Sequence, residues 1–184
     1  MLLCYEGFGR KFMRLTVHSD YALRLMMYLS LRKDDSLSTI DGVAAAYGIS
    51  KAHLMKITHE LGKKGMVETV RGRQGGMRLA REASAITVGE IVRACEPDFA
   101  LVPCMEAEAG NACVVMPACV LKRALATAAA AFLDVLDGYT LKDLIGPTAA
   151  LRQLLSIDAA GSPERFAKSK RRSSLTASTM NKTS

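Results

Sequence analysis

Residues 104–119 read CMEAEAGNACVVMPAC, which puts Cys104, Cys113 and Cys119 in one loop with eight and then five residues between them. Soft thiolates select zinc, copper(I) or iron–sulfur clusters. Zinc sites usually pair their ligands at short C-x-x-C-like spacing, which is absent here. The wider gaps suit a cluster, whose ligands must reach around a larger body. A polar, glycine-containing loop cannot bury three thiols as core, so the spacing predicts an iron–sulfur site that lacks one ligand. Glu106, Glu108, His18 and Asp20 are the open choices for it, and sequence proximity favours the glutamates. Cys95 lies on the apolar stripe of a short helix and reads as a small core residue. Cys4 gets no role.

A second constellation is electrostatic. Residues 51–81 carry Lys51, Lys56, Lys63, Lys64, Arg71, Arg73, Arg78 and Arg81 against Glu60 and Glu68, a net +6. Residues 82–157 carry five basic against nine acidic side chains, a net −4. The chain's formal +7 is therefore concentrated in one segment and a basic tail, and a basic segment of that kind is the footprint of a nucleic-acid surface. Ser50 caps a helix from which Lys51, His53 and Lys56 face outward, and Arg71, Arg73 and Gln74 sit on the glycine-rich turn RGRQGG. They are the expected DNA contacts: the helix in the major groove, the arginines in the narrow minor groove. A phosphate-cradling loop is the weaker reading of RGRQGG, because no strand–loop–helix order with a lysine follows.

The elements that must position these residues follow from periodicity. Ser19 or Asp20 can cap a helix running to about Leu31, with Ala22, Leu25, Met26 and Leu29 on one face. A helix over about 39–47 ends at Gly48, and Ser50 caps another over about 51–64 whose Leu54, Ile57 and Leu61 face inward. MVETV and MRLAR flank the glycine turn as a hairpin, so the pattern is a winged helix-turn-helix. TVGEIVRAC gives a short amphipathic helix ended by Pro97. The cysteine loop then enters a long helix, about 119–136, whose Leu121, Leu125, Ala128, Phe132 and Val135 step by four and three, the period of a helix–helix seam. Gly138 stops it, and YTLKDLI starts a short last helix.

The expected fold is mainly α with a small β-hairpin wing: a winged helix-turn-helix DNA-binding domain at 13–82, then 83–157 with the cluster loop (97–119) and a long dimerisation helix. Residues 1–12 read as an N-terminal extension or a start assigned too far upstream, since Met13 opens like a domain. Residues 158–184 read as a disordered basic tail. A hydrophobic fraction of 49% is enough for a core. The N-terminus lacks the apolar run of a signal peptide, and ALATAAAAFL is too short to span a membrane. A cytoplasmic protein is expected, in which five cysteines serve as ligands or buried thiols rather than a disulfide frame.

From Met13 to about Ile157 the sequence resembles the Rrf-type family of bacterial iron–sulfur transcription regulators. MRLTVHSDYALR matches the family's opening, ISKAHLMKI its recognition helix and VRGRQGGMRLAR its wing. EPDFALVPC, PAC and LDGYTLKDL match the cluster loop and the end of the dimer helix. MPAC followed by LKRAL, with the later YTLKDL, is most similar to the nitric-oxide-sensitive NsrR branch, and the iron-responsive RirA branch is next. The resemblance implies a homodimer with crossing long helices. The cluster, 4Fe–4S rather than 2Fe–2S, lies between the cysteine loop of one subunit and the first helix of the other. An aspartate near the start of that helix completes the site, and the matching residue is Asp20 of the partner subunit. The implied function is a repressor on an inverted-repeat operator in double-stranded DNA that lets go when nitric oxide attacks the cluster. An iron- or cluster-status-responsive repressor of the RirA or IscR type is the alternative. A zinc-stapled DNA-binding module and a small electron-transfer iron–sulfur protein are remoter. His18, His53 and His59 form no nucleophile–base pattern with the cysteines, so no enzyme is expected.

Overall fold

The computed structural model describes residues 14–32, 36–72, 74–105 and 113–157. The N-terminal extension and the basic tail lie outside the described residues. Helix α1 spans Val17–Ser30, and its cap is Thr16, whose hydroxyl accepts the Ser19 N–H at 3.3 Å. Neither Ser19 nor Asp20 caps it, as the sequence had suggested. The helix starts a turn earlier, because Thr16 reaches the orphan N–H three residues on and Ser19 is itself fully buried. The expected inward face is present: Ala22, Leu25, Met26 and Leu29 are all buried.

Helix α2, Ile40–Tyr47, starts at the Thr39 cap and stops at Gly48, whose φ of 66° is the left-handed conformation that glycine adopts without strain. Helix α3, Lys51–Lys63, starts at Ser50, whose hydroxyl accepts the His53 N–H at 3.3 Å. Its Leu54, Ile57 and Leu61 are completely buried. Strands β1 (Val67–Val70) and β2 (Gly76–Leu79) pair antiparallel, with Val67 opposite Leu79 and Glu68 opposite Arg78. The hairpin is pinned to the segment before α2 by two backbone bonds between Ser38 and Met77, at 2.9 and 2.8 Å. A Cβ on Gly76 would lie 2.7 Å from the Ser38 carbonyl oxygen, so glycine is what lets the wing dock this closely.

Helix α4, Val88–Cys95, buries Val88, Ile91 and Val92 and packs against both α1 and α3, so the winged helix and the helix after it share one core. Cys95 is half-buried at its end rather than fully in the core. Short 3₁₀ turns at Pro103–Met105 and Met116–Ala118 flank the cysteine loop. Helix α5, Val120–Asp137, follows, with Cys119 as its cap. A backbone bridge between Thr87 and Thr140 ties the start of α4 to the four-residue helix α6, Leu141–Leu144, whose Thr140 and Asp143 form a capping box. These elements form one compact unit; a second begins at Pro147 and contains helix α7, Thr148–Leu154. Among the described residues, no helix is long and apolar enough to cross a membrane.

Candidate cluster loop and nucleic-acid interface

Capping positions one of the sulfur atoms. Cys119 stands at the N-terminus of α5, where its Sγ accepts the Lys122 N–H at 3.4 Å. Sulfur carrying negative charge is favoured at that end of an 18-residue helix by the unpaired N–H groups and the aligned peptide dipoles. Cys104 lies half-exposed in the turn Pro103–Met105, and Cys113 is exposed. All three thiols are free. Glu106 and Glu108, the ligand choices favoured by proximity, fall in residues 106–112 and lie outside the described residues. Among the described residues, no group of three His, Cys, Asp or Glu side chains could hold a metal ion. The donor chemistry nevertheless fits an iron–sulfur cluster: three soft thiols outside any disulfide, none of them fully buried, within one 16-residue stretch.

Asp20, the ligand implied by resemblance, is half-exposed on α1 and takes both oxygens to Arg24 Nε, at 3.0 and 2.9 Å. Arg24 also lies over the Tyr47 ring of α2, 5.8 Å from its centroid. Two residues before Asp20, His18 Nε2 bonds Glu60 Oε2 of α3 at 2.5 Å. Glu96 closes the other side. Its Oε1 accepts the Thr16 N–H at 2.8 Å, the Thr16 hydroxyl at 3.0 Å and the Ser19 hydroxyl. The residue from which the cysteine loop departs is therefore bonded to the first turn of α1. Sequence reasoning missed Glu96, Arg24 and Glu60. Glu96 was legible only as the residue before Pro97, and Arg24 and Glu60 only as i,i+4 partners of Asp20 and Lys56. Burial first, then the carboxylates Glu60 and Glu96, push the Cys95 thiol up to about 11, which makes it a poor thiolate donor.

The candidate DNA contacts among the described residues lie at the surface. Ser50, Lys51, His53 and Lys56 are exposed on or at the cap of α3, and Arg71 and Gln74 are exposed on the wing. Arg73 lies outside the described residues. Lys51 pairs with Asp41 at 2.7 Å in an exposed pair, and exposed Lys56 stands 3.9 Å from half-buried Glu60. Ala52, Met55 and His59 share that exposed face, with Met55 62% accessible. The sequence reading singled out polar residues there and passed over Met55, although its angular position, opposite Leu54, Ile57 and Leu61, was legible from helical spacing.

A capped recognition helix, a wing pinned beside it and a thiol loop ahead of a long helix define a winged-helix regulator. Comparison with known proteins narrows the class. The pattern of the Rrf2 family, described as an iron-dependent transcriptional regulator, matches residues 15–147. The chain is 49% identical over 143 residues to the HTH-type transcriptional regulator NsrR of Shouchella clausii, covering 78% of this chain and 95% of that one. It is 45% identical to NsrR of Bacillus subtilis, covering 79% and 99%. Among solved structures, it is similar to CymR, the global cysteine regulator of B. subtilis (TM-score 0.58, 25% identity, 72% of this chain and 96% of that one). It is also similar to T. potens IscR (TM-score 0.57, 27% identity, 72% and 85%). The chain belongs to the Rrf2 family. It is a transcriptional regulator of the NsrR type, a DNA-binding protein and not an enzyme.

Proposed function

We propose that the chain is an iron–sulfur-cluster-dependent repressor that releases its operator in response to nitric oxide. The observation that carries this reading is the set of three free thiols, Cys104, Cys113 and Cys119, ahead of α5 in a chain close to half identical to NsrR regulators. These thiolates would hold the cluster, a 4Fe–4S centre in this reading, with Asp20 of the partner subunit as the fourth ligand. The bound cluster supplies iron to which nitric oxide can bind. A carboxylate is a hard, poorly matched ligand in a soft donor set, so Asp20 is the ligand most easily displaced. It has a second partner waiting in Arg24, 2.9 Å away on its own helix. Residues 13–82 then read DNA, and residues 83–157 provide the loop and a homodimer interface along α5. The apolar side chains Leu121 and Val135 of α5 are 64% and 61% exposed in the single chain. A dimer places two recognition helices on half-sites about 34–36 Å apart, as an inverted-repeat operator requires.

A second reading has a specific support: the family's own description is iron-dependent, and an IscR is among the similar structures. In it, iron scarcity rather than nitric oxide empties the site. Both are tested on one preparation, anaerobically purified protein with a duplex that it enriches from a random pool. The expected result is a coloured protein that releases the duplex on stoichiometric nitric oxide and holds it against a chelator. Release by chelator alone would favour the iron reading. Equal binding before and after both treatments would end the cluster proposal.

A further inference from the structure

Glu60 lies between two nitrogen partners of opposite consequence. On one side is His18 of α1, with Nε2 to Oε2 at 2.5 Å. On the other is Lys56, one turn earlier on the same helix, with Nζ 3.9 Å from Oε1. A carboxylate only accepts, so the proton on this bond is held by His18 Nε2. The His18 and Glu60 side chains are only 23% and 35% accessible, whereas Lys56 is 69% accessible. The shielded, short bond to His18 wins, and the looser contact leaves the Lys56 ammonium in solvent on the DNA-facing side. Three residues beyond His18, Tyr21 meets the His53 ring with centroids 5.8 Å apart. Glu60 and His53 are seven positions apart, so α1 touches the recognition helix at two points roughly two turns apart on one face.

We infer that His18 is a positioning residue that holds Glu60 at the outer limit of ion pairing with Lys56, 3.9 Å, and thereby leaves the ammonium available to DNA. A displacement of the first turn of α1 that draws His18 away removes the hydrogen-bond partner of Glu60 and leaves it the Lys56 ammonium. The carboxylate then closes on Lys56 at i,i+4 spacing, the favourable geometry for a helical ion pair. Neutralising one phosphate-facing lysine weakens association with any duplex and removes one counterion-release event per subunit. Tyr21, packed against His53, holds the other point of contact, so the same displacement loosens both ends of the reading face. This inference needs only that α3 binds DNA. The cluster reading adds what moves α1, since Asp20 lies two residues beyond His18.

The test compares DNA affinity across a salt series for wild type, His18→Phe, His18→Gln and the double variant His18→Phe/Glu60→Gln, on a duplex enriched by the wild-type protein. His18→Phe is expected to lower affinity roughly three- to tenfold at low salt and to flatten the log–log slope by about one per bound subunit. His18→Gln, whose amide can donate to Glu60, is expected to stay within twofold of wild type. Removing the competing carboxylate in the double variant is expected to restore the slope. A merely structural role for His18 would lower affinity with an unchanged slope and no rescue by Glu60→Gln, and that result overturns the inference. Repeating the series with cluster-loaded and cluster-free wild-type protein separates the two ideas. Identical affinities there would sink the cluster reading while leaving the His18 result intact.

Discussion

The Arg93 guanidinium meets the Asp137 carboxylate on two parallel hydrogen bonds, Nη1 to Oδ1 at 2.6 Å and Nη2 to Oδ2 at 2.5 Å. This fork fastens the last residue of α5 to α4, and the Thr87 hydroxyl adds a third bond to Oδ1 at 3.3 Å. Bidentate pairing of this kind fixes orientation as well as distance. The helix that follows the cysteine loop is thereby fastened to the helix that precedes it.

The Arg93 bond above all, with Thr87 assisting, holds the Asp137 carboxyl below its ordinary 3.8. The native carboxyl is then the stronger acid, so the pair's contribution is complete above 3.8 and is lost as pH falls through the lower native value. Asp137→Asn is expected to melt below wild type at neutral pH, and the difference should shrink as the buffer is taken below that point. Thermal denaturation at several pH values checks it. A difference that widens in acid would show that another group controls the junction.

Gly76→Ala places a methyl against the Ser38 carbonyl and 2.9 Å from Leu37 Cβ, where the backbone has no slack. Overpacking of this order costs about 1–3 kcal/mol. The expected outcome is a lower melting temperature together with weakened DNA binding, because the wing loses its bonds to Ser38. Calorimetry and fluorescence anisotropy on the same sample report both.

In cluster-free protein the four described thiols should separate by reactivity. With its thiol pushed up to about 11, Cys95 is ionised on the order of one part in a thousand at pH 8. Brief iodoacetamide treatment followed by peptide mass spectrometry should label exposed Cys113 well before Cys95. Correspondingly, Cys95→Ser should leave a cluster absorption band intact, and Cys119→Ser should abolish it.

The basic surface makes a quantitative demand. If each subunit neutralises about three to five phosphates, a dimer's log–log salt slope should be roughly −5 to −9. Arg71→Ala should weaken binding to all duplexes alike, whereas substituting His53 or Lys51 should alter sequence preference. A flat salt response would remove the wing from the interface.

Much of the scaffold was legible because it is local. Gly48 and Ser50 punctuate the helix-turn-helix, and the inward rows of α1 and α3 follow from spacing alone. The glycines of RGRQGG announced the hairpin. The connections that make the candidate site were not legible, for they join residues far apart in the chain: Thr16 and Ser19 with Glu96, His18 with Glu60, Arg93 with Asp137. A carboxylate in sequence does not say which donor will face it after packing. The Thr16 cap was missed for the simpler reason that Ser19 and Asp20 are equally good caps. Helix α7 was missed because TAALRQL is short, lies between Pro147 and Leu155, and has no side-chain cap.

Helix α5 runs for 18 residues without one that is fully buried, and Val114 and Val115 just before it are 98% and 61% exposed. An apolar stripe of that length is stable in water only when something covers it. If a second copy of the chain does so, folding of this half and pairing are one equilibrium governed by mass action, and the melting temperature rises with protein concentration. The number of molecules per cell then becomes a control variable in its own right, because dilution dissolves the reading frame of two half-sites without any chemical signal.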